Sequence, residues 1–263
     1  MNEITKNSDT KIISHAKVGI IGGGIMGVSL LYHLAKEGWK DLVLFEKGEL
    51  TSGSTWHAAG QCPQMMGSYN LAKIHRESNN LYKKLEKETE QPTGFHECGS
   101  LRIAYKKEDL DWFKYVKGIL DNIGAPSEII STNEIRKVHP FIKLDGILGA
   151  FHTPDDGHTD PTSTTNAMAK GARNYGAKIY RKNRVTDIKL LSSGEWKLIT
   201  EKGDIICEHV VNAAGSYGPE VGAMVGLKNI PSINMIHHYL VTDEHPSIAK
   251  LEKELPVVRD PQA

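Results

Sequence analysis

The sequence predicts an α/β protein. It has a Rossmann-like nucleotide-binding domain with a β-meander, interleaved with an incomplete α+β second domain. Three observations carry this reading. A strand, a glycine-rich turn, a helix, a second strand and an acidic residue follow one another over residues 18–46. After residue 160 a second helical stretch leads into a return strand and then into paired strand-like stretches around a turn, the pattern of a sheet continued by a meander. Between these parts, residues 95–150 carry a strand and helices of their own.

Val18-Gly19-Ile20-Ile21 is a short apolar run of the kind buried in a parallel sheet. It enters Gly22-Gly23-Gly24-Ile25-Met26-Gly27, which fits G-x-G-x-x-G at Gly22, Gly24 and Gly27. Gly22 permits the tight turn, Gly24 lets backbone approach a pyrophosphate, and Gly27 lets helix and strand pack closely. Val28, Leu31, Tyr32 and Ala35 follow at helical spacing, and Gly38 is the expected stop. Leu31 stands where such helices often carry alanine. The unpaired N–H groups and positive dipole end of this helix suit phosphates, with Ile25 and Met26 in its first turn. Leu42-Val43-Leu44-Phe45 is the next strand, and Glu46 after it falls where an acid accepts hydrogen bonds from a ribose.

The stretch after Glu46 is richer than a nicotinamide site needs. Lys47 is followed by Gly53-Ser54-Thr55-Trp56-His57-Ala58-Ala59-Gly60-Gln61. Small and hydroxyl-bearing residues let backbone N–H groups and hydroxyls line a pyrophosphate and the edge of an isoalloxazine. A neutral imidazole at His57 is a competent nucleophile for the electrophilic 8α-methyl of an oxidised flavin. The alternative is a loop histidine that only hydrogen-bonds the cofactor or solvent.

Residues 70–90 read as a surface helix with Leu71, Ile74, Leu81 and Leu85 on one side. Residues 100–104 read as a strand and residues 107–123 as a helix. Ser131-Thr132-Asn133-Glu134 has the form of a capped helix start. Asp160 and Pro161 suit the cap and first turn of a helix that runs to about residue 175, where Gly176 stops it. Lys178-Ile179-Tyr180 is a strand, residues 184–190 and 195–200 form a hairpin across Ser192-Ser193-Gly194, and Cys207–Val211 adds a third meander strand.

Composition narrows the function classes. The chain has 263 residues, 39% of them hydrophobic, with 32 Lys+Arg against 32 Asp+Glu. Zero formal charge gives no footprint for nucleic acid or an anionic membrane. The longest apolar run coincides with the glycine motif and is too short to span a bilayer. Residues 1–15 have neither the apolar centre of a signal peptide nor an arginine-rich amphipathic pattern. Three cysteines, Cys62, Cys98 and Cys207, with no C-x-x-C, suggest neither a disulfide framework nor a metal site. A reducing compartment is expected, cytoplasmic or alternatively the mitochondrial matrix. Cys62, just past the loop, is expected to be a packing residue.

The run from Gly48 to Gly60, centred on Trp56-His57-Ala58-Ala59-Gly60, resembles the dimethylglycine and sarcosine dehydrogenase family of D-amino-acid-oxidase-like flavoproteins. Further segments are similar to the same family: Thr93-Gly94-Phe95-His96, Gly99-Ser100-Leu101-Arg102, Asp156-Gly157-His158-Thr159-Asp160-Pro161, Val211–Tyr217 and His237–Thr242. The resemblance implies covalent FAD on His57. It implies adenine clasped through the backbone of Val185, and Ala214, Gly215 and Tyr217 beside the flavin or its ribityl chain. It assigns residues 14–92 and 153–218 to the FAD-binding domain, and residues 93–152 and 219–263 to an incomplete substrate domain. His238 and Tyr239, ahead of an expected Leu240-Val241-Thr242 strand, are the candidate catalytic residues, able to hold an amine in its neutral form.

The implied activity is oxidative N-demethylation of a small-molecule amine such as dimethylglycine or sarcosine. An electron-transfer flavoprotein or oxygen would be the acceptor. The family's further C-terminal domains, including a folate-binding region, are expected to lie outside this sequence. A noncovalent amino-acid oxidase and a non-catalytic flavin-binding subunit are the alternatives.

Overall fold

The computed structural model describes residues 12–235 and 237–262. Elements are numbered along the chain. The described residues form two compact units: one holds those up to Ala58 together with Thr165–Met235, the other Ala59–Thr164 together with those beyond Met235.

The first unit is built on β1 (His15–Ile21), β2 (Leu42–Phe45), β8 (Lys178–Tyr180), β9 (Val185–Leu190), β10 (Trp196–Thr200) and β11 (Gly203–Asn212), in the sheet order β8-β2-β1-β11-β10-β9. The first four strands in that order run parallel, and β11, β10 and β9 are antiparallel. The α/β class expected from the sequence holds. Every side chain of β2 is buried, as a strand covered on both faces requires. Helix α1 (Ile25–Lys36) makes the crossover from β1 to β2 and buries Val28, Leu31, Tyr32 and Ala35. It stops at Gly38, whose φ is 89°. The Trp39 N–H donates to the Leu34 carbonyl and the Gly38 N–H to the Ala35 carbonyl, a Schellman motif that satisfies the last carbonyls. Helix α5 (Pro161–Asn174) closes the same way: Ala177 N–H donates to the Ala172 carbonyl and Gly176 N–H to that of Arg173. Its start is capped by Asp160, whose Oδ1 accepts from the Ser163 N–H at 2.6 Å.

The second unit holds a four-stranded sheet, β12-β4-β6-β5, made of β4 (Ser100–Ala104), β5 (Glu128–Ile130), β6 (Gly149–Thr153) and β12 (Val257–Arg259). The short strands β3 (Gln61–Cys62) and β7 (Gly157–His158) pair separately. Helix α3 (Lys107–Asn122) buries Phe113, Val116 and Leu120, and Phe113 meets Phe151 of β6 edge-on. Helix α4 (Thr132–Val138) has the expected capping box: the Ser131 Oγ accepts from the Glu134 N–H and the Glu134 carboxylate accepts from the Ser131 N–H.

Two expectations change and one is refined. Helix α2 (Tyr69–Thr89) forms as a surface helix, with Leu71 and Ile74 49% and 60% exposed and Ala72, Asn79, Leu85 and Thr89 buried. On its inward face the Asn79 amide donates to the Cys62 carbonyl at 2.9 Å. Residues 59–92 pack in the second unit, whereas the sequence reading grouped them with the first. The strand expected over residues 240–242 does not form. Residues 237–245 are irregular and exposed, because no neighbouring strand among the described residues takes up their backbone hydrogen bonds.

Candidate flavin site

The glycine turn lies at the carboxyl ends of β1, β2 and β11, where ligands of open α/β sheets sit. Gly22 has φ 120°, and a Cβ there would overlap the Ala213 carbonyl at the end of β11. A Cβ on Gly27 would overlap the Gly22 carbonyl, so this glycine sets how closely α1 meets β1. At Gly24 an added Cβ meets only the Thr55 hydroxyl, at 3.0 Å. Gly24 is also the N-cap of α1 and has no side chain to cap it. The Ile25 N–H is taken by the Thr55 hydroxyl, and the Met26 N–H of the same opening turn is left for an anion. Met26 is 76% exposed there.

Glu46 is 9% exposed, and its carboxylate binds the turn to the strand that follows it. Oε2 accepts from the Gly23 N–H at 2.7 Å and Oε1 from the Gly48 N–H at 2.7 Å. Each oxygen keeps a second acceptor direction, the capacity a ribose diol needs. The sequence reading expected ribose hydrogen bonds at Glu46 and did not foresee these backbone bonds, which depend on how the turn folds over β2.

The loop from Thr51 to Gly60 is tied to the same turn. The Thr51 N–H donates to the Gly23 carbonyl at 3.0 Å, and Thr55 Oγ1 accepts from the Ile25 N–H at 3.0 Å. Gly53 precedes a short 3-10 turn over Ser54–His57, and Ala58 follows in extended conformation. The Trp56 and His57 rings lie 3.8 Å apart, and Trp56 is 53% exposed. His57, Ala58 and Ala59 are also exposed.

A pocket in the first unit is lined by Gly22, Glu46, Lys47, Val185, Ala214 and Tyr217, together with Ile21, Phe45, Arg184, Glu220, Val221 and Met224. Lys47 Nζ stands 3.1 Å from the centre of the Tyr217 ring. The sequence reading put Tyr217 beside the flavin ring or its ribityl chain. In the structure it lines the pocket together with Glu46 and Val185. The cause is local: Asn212 Oδ1 accepts from the Ala214 N–H and its amide donates to the Gly218 carbonyl, folding Gly215–Tyr217 back directly after β11. Arg184, Glu220 and Met224 were not foreseen in this pocket, since nothing local marks them. The open pocket, the N–H groups remaining at the start of α1 and the acceptor-bearing acid together fit a dinucleotide such as FAD.

In the second unit, Gly60 and Gln61 are held by backbone pairing with His158 and Thr159. Gly60 has φ 70°, and the Gly60 carbonyl accepts from the Thr159 N–H at 2.9 Å. Strands β3 and β7 pair Gln61 with His158 and Cys62 with Gly157. Asp156, fully buried, accepts from the Gln64 N–H (2.9 Å), the Gln64 side-chain amide (3.1 Å) and the Ser100 hydroxyl (2.6 Å). Burial pushes its carboxyl above the usual range, although the Ser100 and Gln64 hydrogen bonds oppose this. Cys62 is buried with its thiol pushed up to about 12 by burial, and Cys207 likewise. Both act as packing residues. His238 and Tyr239 lie in the irregular segment, with Tyr239 65% exposed. His96, His158 and Glu254 place three ligand-type atoms within 4.8 Å of one another, a grouping that the sequence gave no reason to expect.

The family profile for the DAO FAD-dependent oxidoreductases matches residues 17–262. The chain belongs to this family. As a DAO-family chain it is 45% identical over 245 residues to mitochondrial dimethylglycine dehydrogenase of Rattus norvegicus, covering 93% of this chain and 28% of that protein. It is 34% identical over 256 residues to mitochondrial sarcosine dehydrogenase of Homo sapiens, covering 95% and 27%. It is also 35% identical over 252 residues to the mitochondrial pyruvate dehydrogenase phosphatase regulatory subunit of Mus musculus, covering 94% and 28%. The chain thus spans less than a third of these relatives. Among solved structures it resembles L-proline dehydrogenase of P. horikoshii with a TM-score of 0.75 and 29% identity, over 83% of this chain and 58% of that one. The resemblance drawn from the loop around His57 is borne out at the level of the family. No helix among the described residues is long and apolar enough to cross a membrane.

Proposed function

We propose that this chain is the FAD-binding part of an N-methyl amino acid dehydrogenase, that it carries FAD covalently on His57, and that it takes part in oxidative N-demethylation of an amine such as dimethylglycine or sarcosine. FAD, when bound, supplies the two-electron oxidation of the N-methyl carbon; formaldehyde and the demethylated amine are the products. The observation that carries the reading is the loop: it hooks Thr55 to the opening N–H of α1 and leaves His57 exposed one residue before Ala58. Gly22, Gly24 and the start of α1 receive the pyrophosphate. Glu46 holds the ribose, and Val185 and Tyr217 border the adenine. Gly53–Gln61 run along the flavin. The roles of His238 and Tyr239 in orienting the amine, and an electron-transfer flavoprotein or oxygen as acceptor, rest on the family resemblance. The mitochondrial names of the relatives support the mitochondrial matrix over the cytoplasm.

Intact mass of acid-precipitated protein tests the attachment. Wild-type protein retains the added mass of FAD on the peptide containing His57, and His57→Ala releases it. Complete release from wild-type protein refutes the covalent link and favours the noncovalent oxidase.

A second reading, a flavin-binding regulatory subunit without turnover, is favoured by the 35% identity to a relative named as a phosphatase regulatory subunit. Anaerobic bleaching of the flavin by dimethylglycine or sarcosine supports the enzyme. A flavin that no N-methyl amine reduces supports the subunit.

A further inference from the structure

His96, His158 and Glu254 lie far apart in the chain and meet within the second unit. His96 and His158 form an antiparallel bridge. The His96 N–H donates to the His158 carbonyl at 2.8 Å, and the His158 N–H donates to the His96 carbonyl at 3.1 Å. Residues opposed in this way project to the same side. A Cβ on Gly157 would overlap the His96 carbonyl, so this glycine lets the two backbones come together. The imidazoles consequently stack, with centroids 5.0 Å apart and planes 13° from parallel. Glu254 spans both rings: one carboxylate oxygen is 2.8 Å from His96 Nδ1 and the other 2.5 Å from His158 Nε2. Two acids close by in sequence are held elsewhere, Glu97 by Lys83 at 2.7 Å and Asp155 by Arg76 at 3.6 Å. Among the described residues no lysine or arginine forms an ion pair with Glu254.

We propose that His96 Nδ1, His158 Nε2 and the Glu254 carboxylate form a site for a divalent transition metal ion, best matched by Zn2+, and that the ion clips the segment before β12 to β7. Two imidazole nitrogens and one carboxylate are a donor set that zinc takes with solvent in an open fourth position. Zinc bonds of about 2.0–2.2 Å at tetrahedral angles place ligand atoms about 3.3 Å apart. The three ligand atoms here lie within 4.8 Å of one another. Each of the three side chains is 33% or more exposed, so it can swing inward by about 1 Å without disturbing the core. With neutral imidazoles the cluster carries the single negative charge of Glu254, which a dication offsets. Two nitrogen donors out of three favour a transition ion over Mg2+ and Ca2+, which take oxygen. Residues 237–245 and 251–256 around Glu254 are outside helices and strands. Metal bonds from Glu254 to His96 and His158 would hold this stretch to β7, which pairs with β3.

The test uses the flavin-loaded protein, stripped with EDTA and titrated with Zn2+ by calorimetry in competition with a chromophoric chelator. Wild-type protein should take up one tightly bound Zn2+ per chain, and excess Mg2+ or Ca2+ should not displace it. His96→Gln, His158→Gln and Glu254→Gln should each weaken binding at least about 10-fold, since loss of even a group that only supports a ligand costs that much. His33→Gln, which removes an exposed histidine of α1, should change it less than about twofold. Circular dichroism of the metal-free variants verifies folding, and if one fails to fold the other two carry the comparison. Tryptic cleavage after Lys253 reads the clip: saturating Zn2+ should slow it about 10-fold in wild-type protein and leave it unchanged in His158→Gln. Wild-type protein that binds no Zn2+ overturns the site. So does binding that all three cluster variants leave within about twofold, which marks adventitious histidine binding. Binding at the cluster with cleavage after Lys253 unaltered overturns the clip.

Discussion

Asp156 offers a demanding test of how the second unit is held together, since it ties Gln64 to Ser100 of β4. Replacing it with alanine removes the acceptor for three donors at once. The Gln64 N–H is buried in a residue with no exposed surface, so it is left without a partner or water, a loss of about 1–3 kcal/mol. The Gln64 amide and the Ser100 hydroxyl each lose a bond to a carboxylate oxygen; Ser100 is partly exposed and recovers water. Release of a buried charge offsets part of this. The expected net destabilisation is about 3 kcal/mol, which lowers the apparent melting temperature by about 6–12 °C for a chain of this size. Asp156→Asn keeps an oxygen for Gln64, and its amide can donate to the Ser100 hydroxyl, so its loss should be below about 1 kcal/mol.

The pH dependence of that pair has a definite sign. The folded pKa of Asp156 is raised, first by burial. Its contribution to stability is therefore fully present below the unfolded value and is lost as pH rises through the folded value. Wild-type protein should gain on Asp156→Asn as the pH falls through the carboxylate range. Thermal melts between pH 4 and pH 8, with circular dichroism to verify folding, measure both effects. An alanine variant within about 1 kcal/mol of wild type, or an asparagine variant as unstable as alanine, would refute this account of the Asp156 anchor.

Other expectations follow from the same contacts. Glu46→Ala in a His57→Ala background, where FAD is free to dissociate, should weaken FAD binding by about 1–3 kcal/mol; flavin fluorescence titration reads this directly. Gly27→Ala drives a methyl group into the Gly22 carbonyl and should cost about 1–3 kcal/mol, as overpacking does, with FAD uptake reduced; an unchanged melting curve would show that α1 shifts freely. Glu254 accepts from His96 at 2.8 Å and from His158 at 2.5 Å. Burial raises its pKa, but the two histidine contacts outweigh this and hold the carboxyl below its usual value. Its contribution is thus present above the unfolded pKa and lost as pH falls through the folded one. The difference in melting temperature between wild type and Glu254→Gln should shrink as the pH drops below 5, and a constant difference would show that the carboxylate does not titrate in this cluster.

The elements carried by local chemistry were legible in the chain. The apolar runs of β1 and β2, the glycine spacing, the helix stops at Gly38 and Gly176 and the capping box at Ser131 all depend on residues within one or two turns of each other. Backbone sterics, capping and periodicity act at that range, so the α/β class and the dinucleotide turn follow from the sequence itself. The loop around His57 was legible for a different reason: its whole composition is distinctive enough to reveal the family. What tertiary structure decided are meetings between residues far apart in the chain. On α2 the buried Asn79 reaches the Cys62 carbonyl, a contact between residues far apart in the chain. The pocket at the glycine turn gains Arg184, Glu220 and Met224, and Tyr217 joins it because Asn212 turns the chain back. Residues 240–242 have strand-forming side chains but no strand beside them, and an extended segment is stable only when a neighbour takes its hydrogen bonds. Asp156 joining Gln64 and Ser100, and His96 standing beside His158, arise from strand pairing, which no local pattern encodes.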